Sequence, residues 1–430
     1  MTTSSGRVPL IGALLLYFLI VAALIAVVPW SAAPDEAAHA QYIEAIVSSH
    51  ALPVFNGQSP PNPGYEFHQP PLFYLAAAPL WAILPPGIEN YATRVLSLVF
   101  GLLTIWIVWN AANLIFGRGS RASAFCTLGA ALSPLHQGVG ASVNNDALAG
   151  LWSACLFYLV ARAWLETPTR KLIIMAGVVA GLGALTKLTA LPMGLWAFIA
   201  IGAALSKRGE RPIPSLLPAL VIALLLAAPM LLRNQFLYGD PFAYVLFSRA
   251  ATQGTPGFAD WGPQGFPLAT YVRGMVWQIL GTTWGFFGGV NNFVKLTGPL
   301  NASGPRFPDP LWLLPFSVTV FAPLMGIWSA WKNRDSNEVQ DDEEEPYDIR
   351  SVSLWWAAGA SLLFVLWVSF AYAHFSGGQA RYLHGLMVPI TLLVAGGLSR
   401  SRGGVIVSVL LGIVMLGLSL SNIIFWKTLV

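Results

Sequence analysis

The sequence predicts an all-α, polytopic membrane protein, and two observations lead to this fold class. Of the 430 residues, 56% are hydrophobic and only 10% are charged, a balance typical of a bundle of membrane-spanning helices rather than of a soluble enzyme. Apolar runs of about 20 residues, the length that crosses a bilayer, also recur along the chain with short polar breaks between them. We therefore expect a single transmembrane domain over residues 1–430.

The positions of lysine and arginine predict the orientation, because these residues collect in cytoplasmic loops. Placing the basic loops in the cytoplasm puts the N-terminus there too and gives about eleven spans, within a range of ten to thirteen. The expected spans are 8–29, 94–116, 122–142, 147–165, 170–186, 190–206, 213–232, 311–331, 351–373, 383–399 and 404–425.

Three segments between these spans have a different character. The first outer loop, 30–93, contains an apolar stretch from Pro70 to Leu84 that is too short to cross a membrane, so we expect interfacial helices there. The second large outer loop is 233–310. Residues 332–350 include a block of consecutive acids, which repel one another and predict a solvated cytoplasmic linker.

Acidic residues follow the first apolar run directly. Pro34 suits the first position of a helix, and a helix beginning there would place Asp35, His39 and Tyr42 on one face. Ionisable groups at a membrane edge are costly to desolvate and indicate function. The structural alternative is equally plain, because a helix dipole favours acids in the first turn whatever the protein does.

A second polar group precedes the run that begins at Ala147. Asn144, Asn145 and Asp146 are good helix N-cap residues, yet three in succession exceed what a cap requires. Lys187 sits between two predicted spans with little loop to spare, and a cation held there requires an anion.

Further candidates lie on the same predicted outer side. Each has an alternative interpretation as an interfacial anchor, a turn residue or an arginine that snorkels to the interface. These candidates for substrate binding are Glu66 and His68 in the first outer loop, Arg233 at the end of a span, and Gln379, Arg381 and Tyr382 beside a later span.

Three short motifs in this chain resemble the GT-C superfamily of integral-membrane glycosyltransferases. They are the first-loop acids Asp35-Glu36, the segment from His68 to Tyr74 with its double proline, and the segment from Gly181 to Lys187. The resemblance is to the protein O-mannosyltransferase and aminoarabinose-transferase branch. It extends to bacterial multi-pass proteins with P-D-E-x-x-H, N-N-D-A-L-A and Q-x-R-Y elements.

The resemblance implies a GT-C-like bundle and inverting transfer of a sugar from a polyprenyl-phosphate donor at the outer face of the cell membrane. Asp35 would be the general base, with Glu36 and His39 beside it and Asp146 as a second acid. Lys187 and Arg381 would neutralise the phosphate that leaves. The expected substrate contacts therefore include His39, Asn144 and Asn145 as well as the two cations.

The expected partners are a polyprenyl-phosphate-linked sugar, membrane lipids and an acceptor that is a glycan, a lipid or a protein. The sequence has no glycine-rich nucleotide motif and no basic, aromatic patch of the kind that binds nucleic acid. No definite cofactor is indicated, and a divalent metal at Asp35 and His39 stays open. The alternative function is a transporter or flippase of an amphiphilic anion, although paired broken helices typical of transporters are not visible in the sequence.

Overall fold

The computed structural model describes residues 7–59, 62, 64–254, 256–284, 349–399 and 402–429. Throughout these residues the secondary structure is helical, as predicted. The predicted span 311–331, almost all of the predicted linker 332–350 and the end of the predicted outer loop 233–310 lie outside the described residues.

Sixteen α-helices make up the described part of the chain. In order they are α1 (Val8–Val27), α2 (Glu36–Ser49), α3 (Leu72–Ile83), α4 (Ile88–Phe116), α5 (Arg121–Leu132), α6 (Pro134–Gly140), α7 (Asp146–Leu165), α8 (Arg170–Ala184), α9 (Ala190–Lys207), α10 (Pro212–Tyr238), α11 (Tyr244–Gly254), α12 (Phe258–Trp261), α13 (Leu268–Trp284), α14 (Ile349–Ala373), α15 (Met387–Leu398) and α16 (Arg402–Leu429). Short 3₁₀ segments cover Gly262–Gln264, Phe375–Gly378 and Ala380–Leu386.

Seven of the described helices are long and apolar enough to cross a membrane. They are α1, α4, α7, α9, α10, α14 and α16, and each overlaps a predicted span. The predicted spans 122–142, 170–186 and 383–399 correspond to shorter helices.

The predicted span 122–142 is not one continuous helix. Helix α5 ends at Leu132, and α6 begins two residues later at Pro134. Proline cannot donate the backbone hydrogen bond that would continue α5, and the Ser133 side chain accepts a hydrogen bond from the His136 backbone, which starts a new helix. The chain therefore bends at this point.

The region predicted as the first outer loop contains two helices, α2 and α3, and their interfacial placement stays a prediction. Helix α3 has 12 residues, about 18 Å at 1.5 Å per residue, so it is too short to cross a hydrocarbon core of about 30 Å. It follows the Pro70-Pro71 pair and packs against α2 and α4. Helix α4 begins at Ile88, so the region is shorter than the predicted 30–93.

The long helices bring distant parts of the sequence to one end of the bundle. At this end, the C-termini of three helices lie near the N-termini of three others: α1, α8 and α14 end there, and α4, α7 and α9 begin there. Ion pairs between residues that follow or begin these helices connect them, namely Glu36 with Arg94, Asp146 with Lys187 and Asp35 with Arg381. The buried core beneath this end is largely alanine, leucine and aromatic side chains. Close packing of small residues allows the helices to approach one another.

Candidate active site

Asp35 does not lie in a helix. Its backbone adopts the left-handed conformation, with φ of 60°, and it forms the N-terminal boundary of α2, which begins at Glu36. The predicted helix start at Pro34 is therefore wrong, because α2 begins two residues later, but His39 still lies near Asp35. Aspartate tolerates this conformation better than most residues. As a result, the side chains of Asp35 and Glu36 enter two different clusters of charges.

Both carboxylate oxygens of Asp35 are engaged. The Tyr65 hydroxyl donates a hydrogen bond to Oδ1, and Nη2 of Arg381 donates to Oδ2 in an ion pair. Burial by itself would raise the pKa of Asp35, but the Arg381 charge and the Tyr65 hydrogen bond outweigh it and lower the pKa to about 2. Asp35 is thus ionised at any physiological pH.

Arg381 links Asp35 to a second carboxylate. Its Nη1 lies 3.9 Å from Oδ2 of Asp146, and the other oxygen of Asp146 forms an ion pair with Nζ of Lys187. These contacts form a row in which the charge alternates in sign: Asp35, Arg381, Asp146 and Lys187. We call these four residues the charge cluster. The ring centroid of Tyr382 lies 5.0 Å from Lys187 Nζ and 5.0 Å from the guanidinium carbon of Arg381, within the range of cation–π contacts.

The two asparagines before Asp146 hold this arrangement in place. Oδ1 of Asn144 accepts a hydrogen bond of 2.7 Å from the Asp146 backbone, as an N-terminal cap does. Nδ2 of Asn145 donates to Oε1 of Gln69 at 3.3 Å and to the Thr186 carbonyl at 3.4 Å. Asn145 therefore joins the double-proline segment to the turn that carries Lys187.

His39 lies beside the charge cluster but is bound to a tyrosine. Its Nδ1 is 2.8 Å from the Tyr74 hydroxyl, and Tyr74 in turn stacks on Tyr42 with ring centroids 3.9 Å apart. Burial lowers the pKa of His39 to about 3, and the nearby Asp35 charge only partly offsets this effect. His39 is consequently neutral at pH 7.

Glu66 and His68 are both buried in the segment before α3. Burial raises the pKa of Glu66 to about 7, and the Asp35 charge adds to the effect. Oε2 of Glu66 makes no hydrogen bond within the described residues. Nδ1 of His68 is 2.8 Å from the Tyr65 carbonyl, and its ring stacks on Phe247 with centroids 4.0 Å apart.

Glu36 is placed away from the charge cluster, in a bidentate ion pair with Arg94. Nε and Nη2 of Arg94 donate to its two oxygens at 2.8 Å each. The backbone amides of Val143 and Ser31 donate to the same oxygens at 3.0 and 3.1 Å. The remaining guanidinium hydrogens point to carbonyls at the end of α1, including that of Val28 at 2.8 Å. We call Glu36 and Arg94 with these backbone partners the anchor cluster.

Arg233 and Gln379 are the other predicted site residues. Nη2 of Arg233 donates to the carbonyls of Leu52 and Pro53 at 3.0 and 2.9 Å, which attaches α10 to the segment after α2. Gln379 is buried next to Ala380, and its Oε1 has no hydrogen-bond partner in the part of the chain that the structure describes.

Sequence reasoning missed Tyr65, Gln69, Arg94 and a buried histidine pair. Nδ1 of His136 lies 2.8 Å from Nε2 of His384, whose Nδ1 is 3.3 Å from the Asp146 carbonyl. Arg94 carried a usable signal, because an arginine at the edge of an apolar run requires an anion. Tyr65 carried none, since an aromatic residue at an interface needs no polar partner.

Several buried polar atoms around the charge cluster lack hydrogen bonds within the described ranges. Such atoms are uncommon in folded proteins, and each calls for an explanation such as a ligand. They are Nε of Arg381, Oδ2 of Asp146, Nδ2 of Asn144, Oδ1 of Asn145, Oε1 of Gln379 and Oε2 of Glu66. These atoms have unused capacity for polar contacts, and they cluster around the charged side chains.

A metal site is not formed by these residues. No group of three histidine, cysteine, aspartate or glutamate side chains in the described ranges is placed to hold a metal ion. The oxygens of Asp35 are taken up by Tyr65 and Arg381, and Nδ1 of His39 faces Tyr74. No step proposed below passes through a metal.

Comparison with known proteins relates this geometry to a fold. Residues 68–232 match the family model of dolichyl-phosphate-mannose-protein mannosyltransferases. The structure superposes on the Archaeoglobus fulgidus oligosaccharyltransferase tethered to an acceptor peptide with a TM-score of 0.56 and 15% identity, covering 99% of this chain and 55% of that one. The chain has the GT-C fold. The GT-C-like bundle that the sequence resemblance implied is confirmed as a fold by this match.

Other solved structures align over a similar extent. The same archaeal enzyme, AglB, in complex with an inhibitory peptide and a dolichol-phosphate, gives a TM-score of 0.56 at 15% identity, with 98% of this chain and 56% of that chain covered. ArnT from Cupriavidus metallidurans bound to undecaprenyl phosphate gives a TM-score of 0.46 at 15% identity, with 100% of this chain and 78% of that chain covered. The chain spans about half the length of the archaeal enzyme, so the shared part is the GT-C fold. No curated protein sequence matches significantly.

Proposed function

We propose that this chain is a glycosyltransferase that moves a sugar from a polyprenyl-phosphate donor to an acceptor at the outer face of the membrane, with inversion at the anomeric carbon. The observation that carries the proposal is the charge cluster at one end of a GT-C bundle, in which Asp146, Lys187 and Arg381 are buried. The family match over 68–232 supports it, because that segment contributes Asp146 and Lys187. The dolichol-phosphate in the AglB complex supports a lipid-linked donor.

The two cations of the cluster suit the leaving group. When the bond between the anomeric carbon and the phosphate oxygen breaks, the polyprenyl phosphate gains a negative charge. Lys187 and Arg381 are already buried and oriented, so they stabilise this charge without reorganising water. The guanidinium also has a donor, Nε, that no described residue uses, and a phosphate oxygen would satisfy it.

Asp35 and Asp146 keep the cations in place before the donor arrives. Two unpaired buried cations would be strongly destabilising, and the two carboxylates prevent this. A donor phosphate that approaches Arg381 adds a third anion to the cluster, which favours a shift of the guanidinium from the carboxylates to the phosphate. The sequence also assigns Asp35 the role of general base, and that role stays a prediction.

The test is sugar transfer by the purified protein. Radiolabelled sugars on a panel of synthetic polyprenyl phosphates are offered with extracted envelope acceptors, and wild type is compared with Asp35→Asn and Arg381→Gln. We expect transfer by wild type and a loss of at least about 10²-fold in both variants. Glu44→Gln is the matched control, because Glu44 is an exposed carboxylate on α2, and it should transfer normally.

Two results would overturn the proposal. Normal transfer by Asp35→Asn and Arg381→Gln would separate the activity from the charge cluster. No transfer with any donor, together with measurable movement of the lipid across vesicles that contain the protein, would favour the alternative of a flippase.

A further inference from the structure

Four carboxylates, those of Asp35, Glu36, Asp146 and Glu66, lie in the two clusters or on the segment joined to them, and the first three are each paired with a cation. Asp35 pairs with Arg381, Glu36 with Arg94 and Asp146 with Lys187. Glu66 differs from all three. It has no ion-pair partner among the described residues, its Oε2 accepts no hydrogen bond there, and only 7% of the residue is exposed.

The segment that carries Glu66 is attached to the site on both sides. Tyr65, directly before it, donates its hydroxyl hydrogen to Asp35. Gln69, three residues later, accepts a hydrogen bond from Asn145. Glu66 is therefore held next to the charge cluster although it is not bound to any member of it.

Charged and polar groups from several neighbouring segments interact with the Glu66 carboxyl. The charged ones are Asp35, Arg381 and Lys187, and the Gln69 side chain on its own segment hydrogen-bonds the carboxyl and lowers its pKa. The tyrosines within electrostatic reach are Tyr65, Tyr74 and Tyr382. Glu66 thus stands close to both cations without neutralising either, which leaves one buried carboxyl oxygen available to a ligand.

We propose that Glu66, rather than Asp35, is the general base that takes the proton of the acceptor, and that Asp35 is a positioning residue that orients Arg381 for the leaving phosphate. The proposal rests on the proposed function. It assigns the two carboxylates different tasks, which their different contacts indicate.

A general base needs a free lone pair and a proton affinity near the working pH. Asp35 fits these requirements less well, because each of its oxygens already accepts a hydrogen bond, from Tyr65 and from Arg381, and its pKa is about 2. Glu66 meets both, since Oε2 is unengaged and burial, together with the Asp35 charge, raises its pKa to about 7. Neighbouring carboxylates whose pKa values are pushed apart commonly divide acid–base roles in this way.

The step balances in atoms and charge. The acceptor hydroxyl or amine loses its proton to Oε2 of Glu66 as its oxygen or nitrogen forms a bond to the anomeric carbon. The bond from that carbon to the phosphate oxygen breaks on the opposite face, and the phosphate retains the electron pair. Glu66 becomes neutral while the phosphate gains one negative charge, beside Arg381 and Lys187.

The pH profile of kcat/KM for the acceptor at saturating donor tests the proposal. For wild type we expect kcat/KM to decrease as the pH falls below an apparent pKa of about 7. This apparent pKa should be about 7 or higher, because the donor phosphate adds negative charge near Glu66. Glu66→Gln should transfer about 10² to 10⁴-fold more slowly and should lose this dependence between pH 5 and 8. Glu66→Asp should restore part of the rate and the dependence.

Asp35→Asn distinguishes the two carboxylates. If Glu66 is the base, the residual activity of Asp35→Asn still decreases at acidic pH, and we call this decrease the pH limb. The limb should shift to lower pH, because the negative charge of Asp35 no longer raises the pKa of Glu66. A flat wild-type profile between pH 5 and 8, or an unchanged limb in Glu66→Gln, would overturn the assignment of Glu66 while leaving the glycosyltransferase intact. Failure of wild type to transfer any sugar would instead overturn the proposed function.

Thermal unfolding provides a readout that needs no substrate. The pKa of Glu66 is about 7 in the folded protein and about 4.5 in an unfolded chain, so its contribution to stability is fully present below pH 4.5 and is lost as pH rises through 7. The Tm of wild type should therefore fall relative to that of Glu66→Gln between pH 5 and 8. A constant difference would contradict the titration of Glu66, and Glu44→Gln serves as the control that should follow wild type.

Discussion

Asp35 and Glu36 are consecutive residues, yet they belong to clusters of opposite kinds. In the anchor cluster, both oxygens of Glu36 are bound by Arg94 and by backbone amides, and Arg94 is also bound to carbonyls at the end of α1. In the charge cluster, Arg381 and Asp146 keep polar atoms without hydrogen bonds in the described residues. The difference teaches that pairing alone does not identify a site. Saturated pairs stabilise a fold, and unsaturated ones have capacity for a ligand.

The largest effect should come from breaking the anchor cluster. Arg94→Gln leaves Glu36 buried without its cation, which costs about 3–5 kcal/mol of stability. We expect a marked fall in the Tm of the detergent-solubilised protein and poor accumulation in membranes. Arg118→Gln, just beyond the other end of α4 and exposed, is the control. An unchanged Tm for Arg94→Gln would mean that the two clusters do not differ in kind.

The charge cluster should respond in the opposite way. Arg381→Gln removes the cation that we propose faces the leaving phosphate, so transfer should fall by about 10² to 10³-fold. Its Tm should fall by less than that of Arg94→Gln, because Asp35 and Asp146 retain Tyr65 and Lys187 as partners. The comparison is made on one set of purified variants by transfer rate and thermal unfolding. If Arg381→Gln lowered the Tm more than Arg94→Gln does, the charge cluster and not the anchor cluster would be the more important for stability.

Lys187 should have an intermediate effect. Lys187→Gln removes the second cation but leaves Arg381, so we expect the KM for the donor to rise about 10-fold and kcat to fall by a similar factor, near the energy of one charged hydrogen bond. Lys171→Gln, on the exposed opposite end of α8, is the control. Donor titrations at fixed acceptor concentration measure both constants. A wild-type KM in Lys187→Gln would exclude phosphate binding by this cation.

Tyr65→Phe should have the smallest effect of the series. It removes one hydrogen bond to Asp35 and raises the pKa of that carboxyl from about 2, yet Asp35 stays ionised above pH 5. We expect transfer to fall about tenfold or less with an unchanged pH limb between pH 5 and 8. If the acidic limb of the pH profile moved by more than one pH unit, this would indicate that Asp35, and not Glu66, titrates during transfer.

Much of the site was predictable from the positions of basic residues. The threading placed Asp35, Asp146, Lys187 and Arg381 on one side of the membrane, and the structure brings these four residues into contact. Their common side follows from helix direction, because alternate spans return to the same end, whereas their contact depends on how the helices pack. Which face of the membrane this end occupies stays a prediction.

Other features depended on local geometry that the sequence does not reveal. Helical spacing predicted that the helix includes Asp35, but the left-handed residue at position 35 delays its start to Glu36. His39 stays near Asp35, although its ring is bound to Tyr74. The apolar content of 122–142 predicted one helix, whereas Ser133 and Pro134 divide it. The difference between Asp35 and Glu66 was also hidden, since it depends on which carboxylate the arginine reaches across a gap of 346 residues in sequence.

The left-handed backbone of Asp35 constrains the length of this segment as well as its composition. One peptide bond separates the residue that holds Arg381 from the residue that holds Arg94, so an inserted or deleted residue at this point would withdraw one carboxylate from its arginine. Relatives that share both clusters should therefore align through Pro34-Asp35-Glu36 without gaps, even where the rest of the first outer region varies in length.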